Sequence, residues 1–419
     1  MNEILSQLEA EEIINSLRQG IPPRNNVSAY ASGFDFAGAV SKRHFEKGIG
    51  SGKIRWVCGN WGSGKTHFLR LLAEQAFANN LLVSNVQLSS DQTPFNRFEK
   101  VFFEIVRNVT SAGMYKSGNL NEALPFGQVL KDALFREAEK EGGLEPAYQK
   151  LSAELLAQTE IDIDFRQIVM LYWQTFRTGS SSSQELELKR ARLLNWFEGE
   201  GTVGSFRRDY GINKVISKEN ARIILASLGA FIKWLGYAGL VILFDEAEMT
   251  HSTMRKSSLR QAHNNLLHLI NEIEACQGLF LIYATVPDFF EDPRHGIQVY
   301  GALATRIGKL GNESPLPLDK VWNIDAIQST DSDFVDAALK IHKVYLKAFE
   351  GENEGLISPE TLATQVRDIL SARPEFSAIS SWRLAITATV ETLDKSLQGA
   401  AIPSANVQYL DIMNRLPDE

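Results

Sequence analysis

The sequence predicts an α/β fold, a parallel sheet core with a helical insertion and a C-terminal helical domain, and three observations predict it. Residues 53–58 (Lys-Ile-Arg-Trp-Val-Cys) form a strand-like run that passes through a glycine-rich loop into an apolar helical stripe over 66–78. Two further runs, 239–244 and 278–284, are unbroken apolar sequence, as expected of parallel strands covered on both faces. The periodicity between and after these strands is helical, and strands that alternate with helices build doubly wound sheets.

Residues 3–19 have the period of an amphipathic helix that stops at Gly20, with Pro22 and Pro23 enforcing the break. Residues 25–53 are rich in glycine, serine and asparagine with scattered aromatics. The helix 66–78 that follows the loop carries Phe68, Leu69, Leu71, Leu72, Ala76 and Phe77 as its stripe. A second strand over 81–88 precedes the turn-forming residues 89–94 and a helix to about residue 108, with Phe95, Phe98, Val101, Phe102 and Ile105 on one side. From 111 to about 228 helical patterns dominate, interrupted by Gly142 and Gly143, by the serine run 179–183, and by Gly199 and Gly201. The third strand, 239–244, runs into Asp245 and Glu246; a helix over 257–275 leads to the fourth, 278–284. A helix over 296–304, the short run 321–324 and helices over 331–350, 358–370 and 380–397 complete the chain. The expected divisions are an N-terminal helix and Pro-rich break (1–24), a first part of the core (25–110), the helical insertion (111–228), a second part of the core (229–315) and a helical C-terminal lid domain (316–419).

Composition sets bounds. The 419 residues are 44% hydrophobic and 22% charged, the balance of an ordinary globular protein with room for two or three domains. A net charge of −8 argues against a surface that coats itself with nucleic acid indiscriminately, though it allows a local basic patch. With Cys58 and Cys276 alone there is neither a disulfide framework nor a cysteine zinc site, which fits a reducing cytoplasm. The first residues lack the basic and apolar regions of a secretory signal. The most membrane-like stretch, 221–244, carries Arg222 and Lys233, contains turn-like residues at 236–239 and ends in acids, so it divides into a buried helix and a buried strand. The seven histidines suggest no metal site; His263 and His268 are five apart and share a helical face poorly.

Residues 59–66, Gly-Asn-Trp-Gly-Ser-Gly-Lys-Thr, fit the pattern G-x-x-x-x-G-K-[ST] at every constrained position. Gly59, Gly62 and Gly64 let the backbone turn tightly, so that successive N–H groups of the loop point inward at the phosphates of a nucleotide. Lys65 reaches the β- and γ-phosphates, Thr66 offers its hydroxyl to Mg²⁺, and the positive end of the following helix completes the anion site. The expected nucleotide-binding residues are therefore Gly59, Asn60, Trp61, Gly62, Ser63, Gly64, Lys65 and Thr66, with ATP and Mg²⁺ as cofactors. Residues 25–53 are expected to lie across the nucleotide.

Asp245 and Glu246 end an apolar strand well downstream of that loop. Asp245 would ligate Mg²⁺ through water and Glu246 would polarise the attacking water; their plainer use is to cap the next helix. Glu248 is open between a supporting and a structural role. Thr285 ends the neighbouring strand, where its hydroxyl would orient the same water, or simply close the strand. Phosphoryl transfer needs positive charge, and Arg306, after the helix 296–304, suits presentation to a neighbouring subunit, with Arg294 as its rival. Arg383 opens a C-terminal helix and would report the nucleotide to that domain; an ordinary helix-start arginine is the alternative. The basic clusters Lys189–Arg192, Arg207–Arg208 and Arg255–Lys256 are candidates for DNA contact or plain solvated faces.

The order of P-loop, helical insertion, Asp-Glu strand, polar strand end, arginine and helical lid resembles AAA+ ATPases, most closely the branch of origin-recognition and initiator-loading proteins. Within it, residues 17–24, 59–66, 86–94, 236–248 and 284–292 look like the ATP-binding proteins of BREX-type bacteriophage-defence systems, the BrxC/BrxD group. The resemblance runs over about residues 10–310, and the segments 236–248 and 284–292 are more discriminating than the P-loop. It implies an AAA+/initiator-like cytoplasmic ATPase that acts on DNA with other defence proteins, such as a helicase or a DNA-modification component, as a homo-oligomer and without a membrane. It also implies sensor roles for Thr285 and Arg383 and an arginine-finger role for Arg306. After Pro23 the chain has Ala31-Ser-Gly-Phe-Asp-Phe36 where a Gly-Arg-Glu-like element reading the adenine side is expected.

Two functions follow: an ATPase that couples hydrolysis to assembly or remodelling on DNA, or a slow ATP-dependent switch or scaffold that recruits a partner. A P-loop kinase of a small substrate is disfavoured by the Asp-Glu pair and the large helical lid.

Overall fold

The computed structural model describes residues 5–33, 35–117, 124–177, 182–247, 254–374, 377 and 379–415. It is a mixed α/β protein, with six strands among the described residues: β1 (Lys53–Cys58), β2 (Leu82–Gln87), β3 (Val109–Thr110), β4 (Leu240–Asp245), β5 (Leu279–Thr285) and β6 (Val321–Asn323). They are ordered β3-β2-β4-β5-β1-β6 in one sheet. β2 runs parallel to β4 and β4 to β5, whereas the short β3 pairs antiparallel with β2. The chain divides into two compact units, residues 1–42, 57–75 and 310–419 in one and 43–56 and 76–309 in the other.

In the second unit, β5 is buried along its whole length and β4 as far as Phe244. Continuous Leu, Val, Ile and Phe sequence is stable there because both pleat faces are covered. β2 alternates toward its end, and its one buried hydroxyl, Ser84, donates to Ile105 O at 2.7 Å, which removes the cost of burying it. The helix Phe98–Arg107 buries Phe98, Val101, Phe102, Ile105 and Val106, the 3.6-residue stripe that its sequence dictates. Helices Pro125–Glu141, Ile163–Gln174, Ser183–Glu198 and Ala221–Trp234 close over an aromatic core in which Phe165 meets Phe126, Trp196, Phe197 and Phe231 edge-on or tilted. Gly229 allows the last of these helices to approach β5, for a side chain there would collide with the Gln277 carbonyl and Leu279.

The first unit is built on the helix Gln7–Arg18, whose Ser6 and Glu9 form a capping box. Its buried Ala10, Ile13, Ile14 and Leu17 share a core with Phe334, Ile341, Tyr345, Val366 and Leu393, from the helices Asp331–Ala348, Pro359–Ala372 and Ser381–Leu397. Asp394 fastens this packing, accepting from Arg18 Nε and Nη2 at 2.9 and 2.6 Å and from Tyr345 Oη at 2.7 Å. Ile369, Ile379, Leu384 and Ala388 cover Tyr409 and Ile412 of the final helix, Ala405–Arg415.

Three elements differ from expectation. The helix Asp35–His44 forms within the glycine- and serine-rich stretch, and the final helix Ala405–Arg415 forms beyond residue 397. Downstream of β5, a 3-10 turn over Ile297–Val299 precedes a helix at Gly301–Ile307 rather than 296–304, since burial of Leu303 and Ile307 sets the helical face. Arg306 accordingly lies in the last turn of that helix instead of following it. Among the described residues no helix is long and apolar enough to cross a membrane; 221–244 is the helix Ala221–Trp234 followed by β4.

Candidate functional site

In the first unit, the loop 59–64 joins the end of β1 to the 14-residue helix Lys65–Ala78. Gly62 and Gly64 have φ of +72° and +94°, which an L side chain adopts only with strain. At Gly59 the constraint is space: a Cβ would meet Ser63 Oγ and lie 2.7 Å from Ile324 Cγ1. Lys65 is buried, and its ammonium donates to Gly59 O at 2.8 Å and Asn60 O at 3.0 Å while lying 5.4 Å from the centre of the exposed Trp61 ring. A glycine-shaped turn, and a lysine that is folded back onto it and opens the following helix, form a cradle whose donor groups and charge suit phosphate. Thr66 is the second residue of the helix.

Two residues of this unit hold the loop from far along the chain. Asp325 Oδ2 accepts from the backbone N–H of Asn60 at 2.7 Å and from its side-chain amide at 2.9 Å. Ser380 Oγ donates to Gly62 O at 2.9 Å and accepts from Arg383 N at 3.2 Å, so the N-cap of the helix that carries Arg383 is fastened to the loop. Behind the loop, Glu74 accepts from the N–H groups of Val27 and Ser28 at 2.6 and 3.0 Å, and Tyr30 Oη lies 3.1 Å from His67 Nδ1. Burial pushes the His67 imidazole down to about 4, with the Arg70 guanidinium adding to the shift, and raises the Tyr30 phenol well above its ordinary value.

In the second unit, the C-terminal ends of β2, β4 and β5 lie side by side. Gln87 is in register with Asp245, and Ala247 N donates to Ala284 O at 3.3 Å. This edge of a parallel sheet is where α/β proteins collect their functional groups. Asp245 Oδ1 accepts from Glu246 N at 3.0 Å; Glu246 has φ +55°, rare outside glycine, and its Oε2 accepts from Gln87 Nε2 at 2.6 Å. Thr285 is wholly buried, and its hydroxyl has no hydrogen-bond partner among the described residues. A buried polar group left in that state calls for an explanation. Phe95, Phe244, Tyr283 and Phe289 pack behind this edge, Phe289 coming from the short helix Asp288–Glu291.

The remaining candidates are spread more widely. Arg306 and Arg294 are exposed in the second unit, and Arg294 N donates to Asp292 Oδ1 at 2.6 Å. Arg383 is half-buried in the first unit. Glu248 lies outside the described residues. Of the basic clusters, Arg190 is engaged in packing, its guanidinium 4.0 Å from the Phe176 ring centre and bonded to Thr175, and Arg208 pairs with Asp209 at 2.9 Å. His263 is buried on the helix Lys256–Glu272, its imidazole pushed down to about 4 by desolvation. Among the described residues no group of three or more His, Cys, Asp or Glu side chains could hold a metal ion.

Sequence reasoning missed Gln87, Asp325 and Ser380. Gln87 carried a weak signal, a polar residue closing a strand next to an acidic one in the order expected for parallel pairing. Asp325 and Ser380 carried none, because each meets the loop across more than 250 residues of intervening chain.

Compared with curated proteins, the chain has no match. The family model described as BREX system ATP-binding protein BrxC/D matches residues 5–408, well past the 10–310 of the expected resemblance and through most of the C-terminal helices. The chain thus belongs to that family, the ATP-binding BrxC/D proteins of the BREX phage-defence system.

Proposed function

We propose that the protein is a Mg²⁺-dependent ATPase of the AAA+ type, with a P-loop at Gly59–Thr66 in its α/β core, a helical insertion and a C-terminal helical lid. The observation that carries this reading is the loop itself. Gly62 and Gly64 in left-handed backbone and Lys65 on the Gly59 and Asn60 carbonyls suit a phosphate chain, in a family described as ATP-binding. Gly59, Asn60, Trp61, Gly62, Ser63 and Gly64 would wrap the phosphates, Lys65 would neutralise the β- and γ-groups, and the Thr66 hydroxyl and Asp245 are the residues that would hold the metal. The chemistry that magnesium would supply there is withdrawal of charge from the phosphate oxygens. The Glu246 carboxylate takes the proton of the attacking water, the Thr285 hydroxyl orients that water, Arg306 balances the charge that develops on the phosphoryl group, and Arg383 reports the nucleotide to the C-terminal domain.

Hydrolysis serves assembly or remodelling of a DNA-associated defence complex, with the chain working as a homo-oligomer beside a helicase or a DNA-modification component. The test is steady-state phosphate release with and without DNA, for the parent chain and for Glu246→Gln. ATP retained without turnover in the variant supports the proposal, and equal turnover in both chains refutes it. Mass measurement with ATP and DNA tests the trans role of Arg306, which a persistent monomer would remove.

A second reading is supported by the Ser380 bond to Gly62 O, which fastens a C-terminal helix to the loop. The chain would then be a slow switch in which ATP orders the C-terminal helices to recruit a partner and turnover merely resets them. Glu246→Gln would trap a still-functional complex in that case.

A further inference from the structure

Asp325 grips the loop 59–64, yet the mechanism above gives it no task. It sits in the 3-10 turn Ile324–Ala326, just after β6. That turn is itself fixed, since Asn323 Oδ1 accepts from Asp325 N at 3.1 Å and Asn323 Nδ2 donates to Gly311 O at 2.7 Å. Its Ile324 fills the space that a side chain at residue 59 would need. The turn therefore meets the loop at two consecutive residues, by shape at Gly59 and by two hydrogen bonds at Asn60.

What this grip controls follows from the peptide it holds. The N–H that Asp325 takes belongs to the peptide between Gly59 and Asn60, whose carbonyl, Gly59 O, accepts from Lys65 Nζ at 2.8 Å. The next carbonyl, Asn60 O, accepts from the same ammonium at 3.0 Å. A carboxylate on that N–H fixes the peptide plane and polarises it, which strengthens the carbonyl as an acceptor. We propose that Asp325 is a positioning residue that sets Lys65 for phosphate through the Asn60 peptide. The proposal rests on reading residues 59–66 as the phosphate site. Its opposite is also physical: a bare carboxylate beside an anion site repels phosphate, and its removal would then tighten binding.

The experiment measures ATP and ADP affinity of the full chain by calorimetry, with melting temperature recorded alongside, for the parent, Asp325→Ala, Asp325→Asn and Lys65→Ala. Asp325→Ala is expected to weaken both nucleotides about tenfold, the worth of the charge-assisted hydrogen bond to the Asn60 N–H. Asp325→Asn, whose amide oxygen still accepts, should stay within about threefold of the parent, as a neutral acceptor in the same place allows. The nucleotide-free melting temperature should not move in either. Should Asp325→Ala fail to fold, Asp325→Ser, too short to reach Asn60, replaces it.

Unchanged or tighter binding by Asp325→Ala, with Lys65→Ala impaired, overturns the proposal and leaves the loop's function standing. Equal losses in Asp325→Ala and Asp325→Asn also overturn it, because an acceptor kept on the Asn60 N–H would then do nothing to set Lys65. If Lys65→Ala binds like the parent, the loop is not a phosphate site and both readings fall together.

Discussion

Gln87 and Glu246, 159 residues apart, meet at the ends of two neighbouring parallel strands, where the glutamine amide donates to the glutamate carboxylate at 2.6 Å. That bond commits one carboxylate oxygen of Glu246 to the neighbouring strand, so the pair restrains any base chemistry at Glu246. Gln87→Ala should raise kcat by about threefold to tenfold, the worth of one hydrogen bond to a charged group, with ATP affinity unchanged. Glu246→Gln should lower kcat by at least about a hundredfold, the usual yield of a positioned base. Phosphate-release kinetics and nucleotide titrations on the same preparations separate the two effects, and a Gln87→Ala variant altered only in affinity would contradict this account.

At Thr285 function and stability are expected to move in opposite directions. Its hydroxyl is fully buried without a hydrogen-bond partner among the described residues, so Thr285→Val removes an unpaired polar group at constant shape. The melting point should hold or rise, by up to about 1 kcal/mol of stability. Turnover should fall if the hydroxyl orients water. A variant that loses both stability and activity would mark Thr285 as structural.

The loop's backbone makes a sharp demand on its glycines. Gly64→Ala must place a Cβ at φ +94°, and Gly59→Ala must push aside Ser63 and Ile324. Each substitution should cost about 1–3 kcal/mol of strain where the loop keeps its shape, and abolish nucleotide binding where it does not. Lys65→Ala should leave folding intact while weakening ATP at least about tenfold. Thermal melts paired with ATP titrations read both quantities.

Ser380 carries two bonds, one as N-cap to Arg383 N and one as donor to Gly62 O. Ser380→Ala should lower stability by about 1 kcal/mol, as loss of an N-cap does. Ser380→Asp keeps the cap but cannot donate when ionised, and it brings a negative charge to the phosphate loop. It should therefore retain stability and lose ATP affinity. Retention of both would show that the bond to Gly62 is passive.

Acid should destabilise the protein through two buried imidazoles. His67 and His263 are held near pH 4 in the folded chain, against an unfolded value near 6.5. Between those values the unfolded chain binds more protons, so the stability contributed by each neutral ring is complete above about pH 6.5 and is lost as pH falls toward 4. The loss is on the order of 3 kcal/mol per histidine at the lower end. Denaturant midpoints between pH 7 and pH 5 should show it, and His67→Gln should flatten the slope. A slope unchanged in the variant would mean that His67 does not titrate in this window.

The sequence by itself determined the local structure. Unbroken apolar runs of strand length read as strands buried on both faces, and β4 and β5 formed within a residue of their expected limits. Gly62 and Gly64 stand where the backbone takes positive φ, a constraint written into residue type. The helix Asp35–His44 was not legible, because glycine and serine favour turns locally and packing overrode that preference: Phe36 stacks on Phe68 and lies edge-on to Trp322. Tertiary structure alone decided the pairings that give the loop and the strand ends their detail: Asp325 on Asn60, Ser380 on Gly62, Gln87 on Glu246, and the N-terminal helix inside a core of C-terminal helices. Periodicity and propensity report only on neighbours a few residues apart. Which distant carboxylate or hydroxyl reaches a given N–H or carbonyl is settled only when the whole apolar surface has found its cover, and nothing local encodes that outcome.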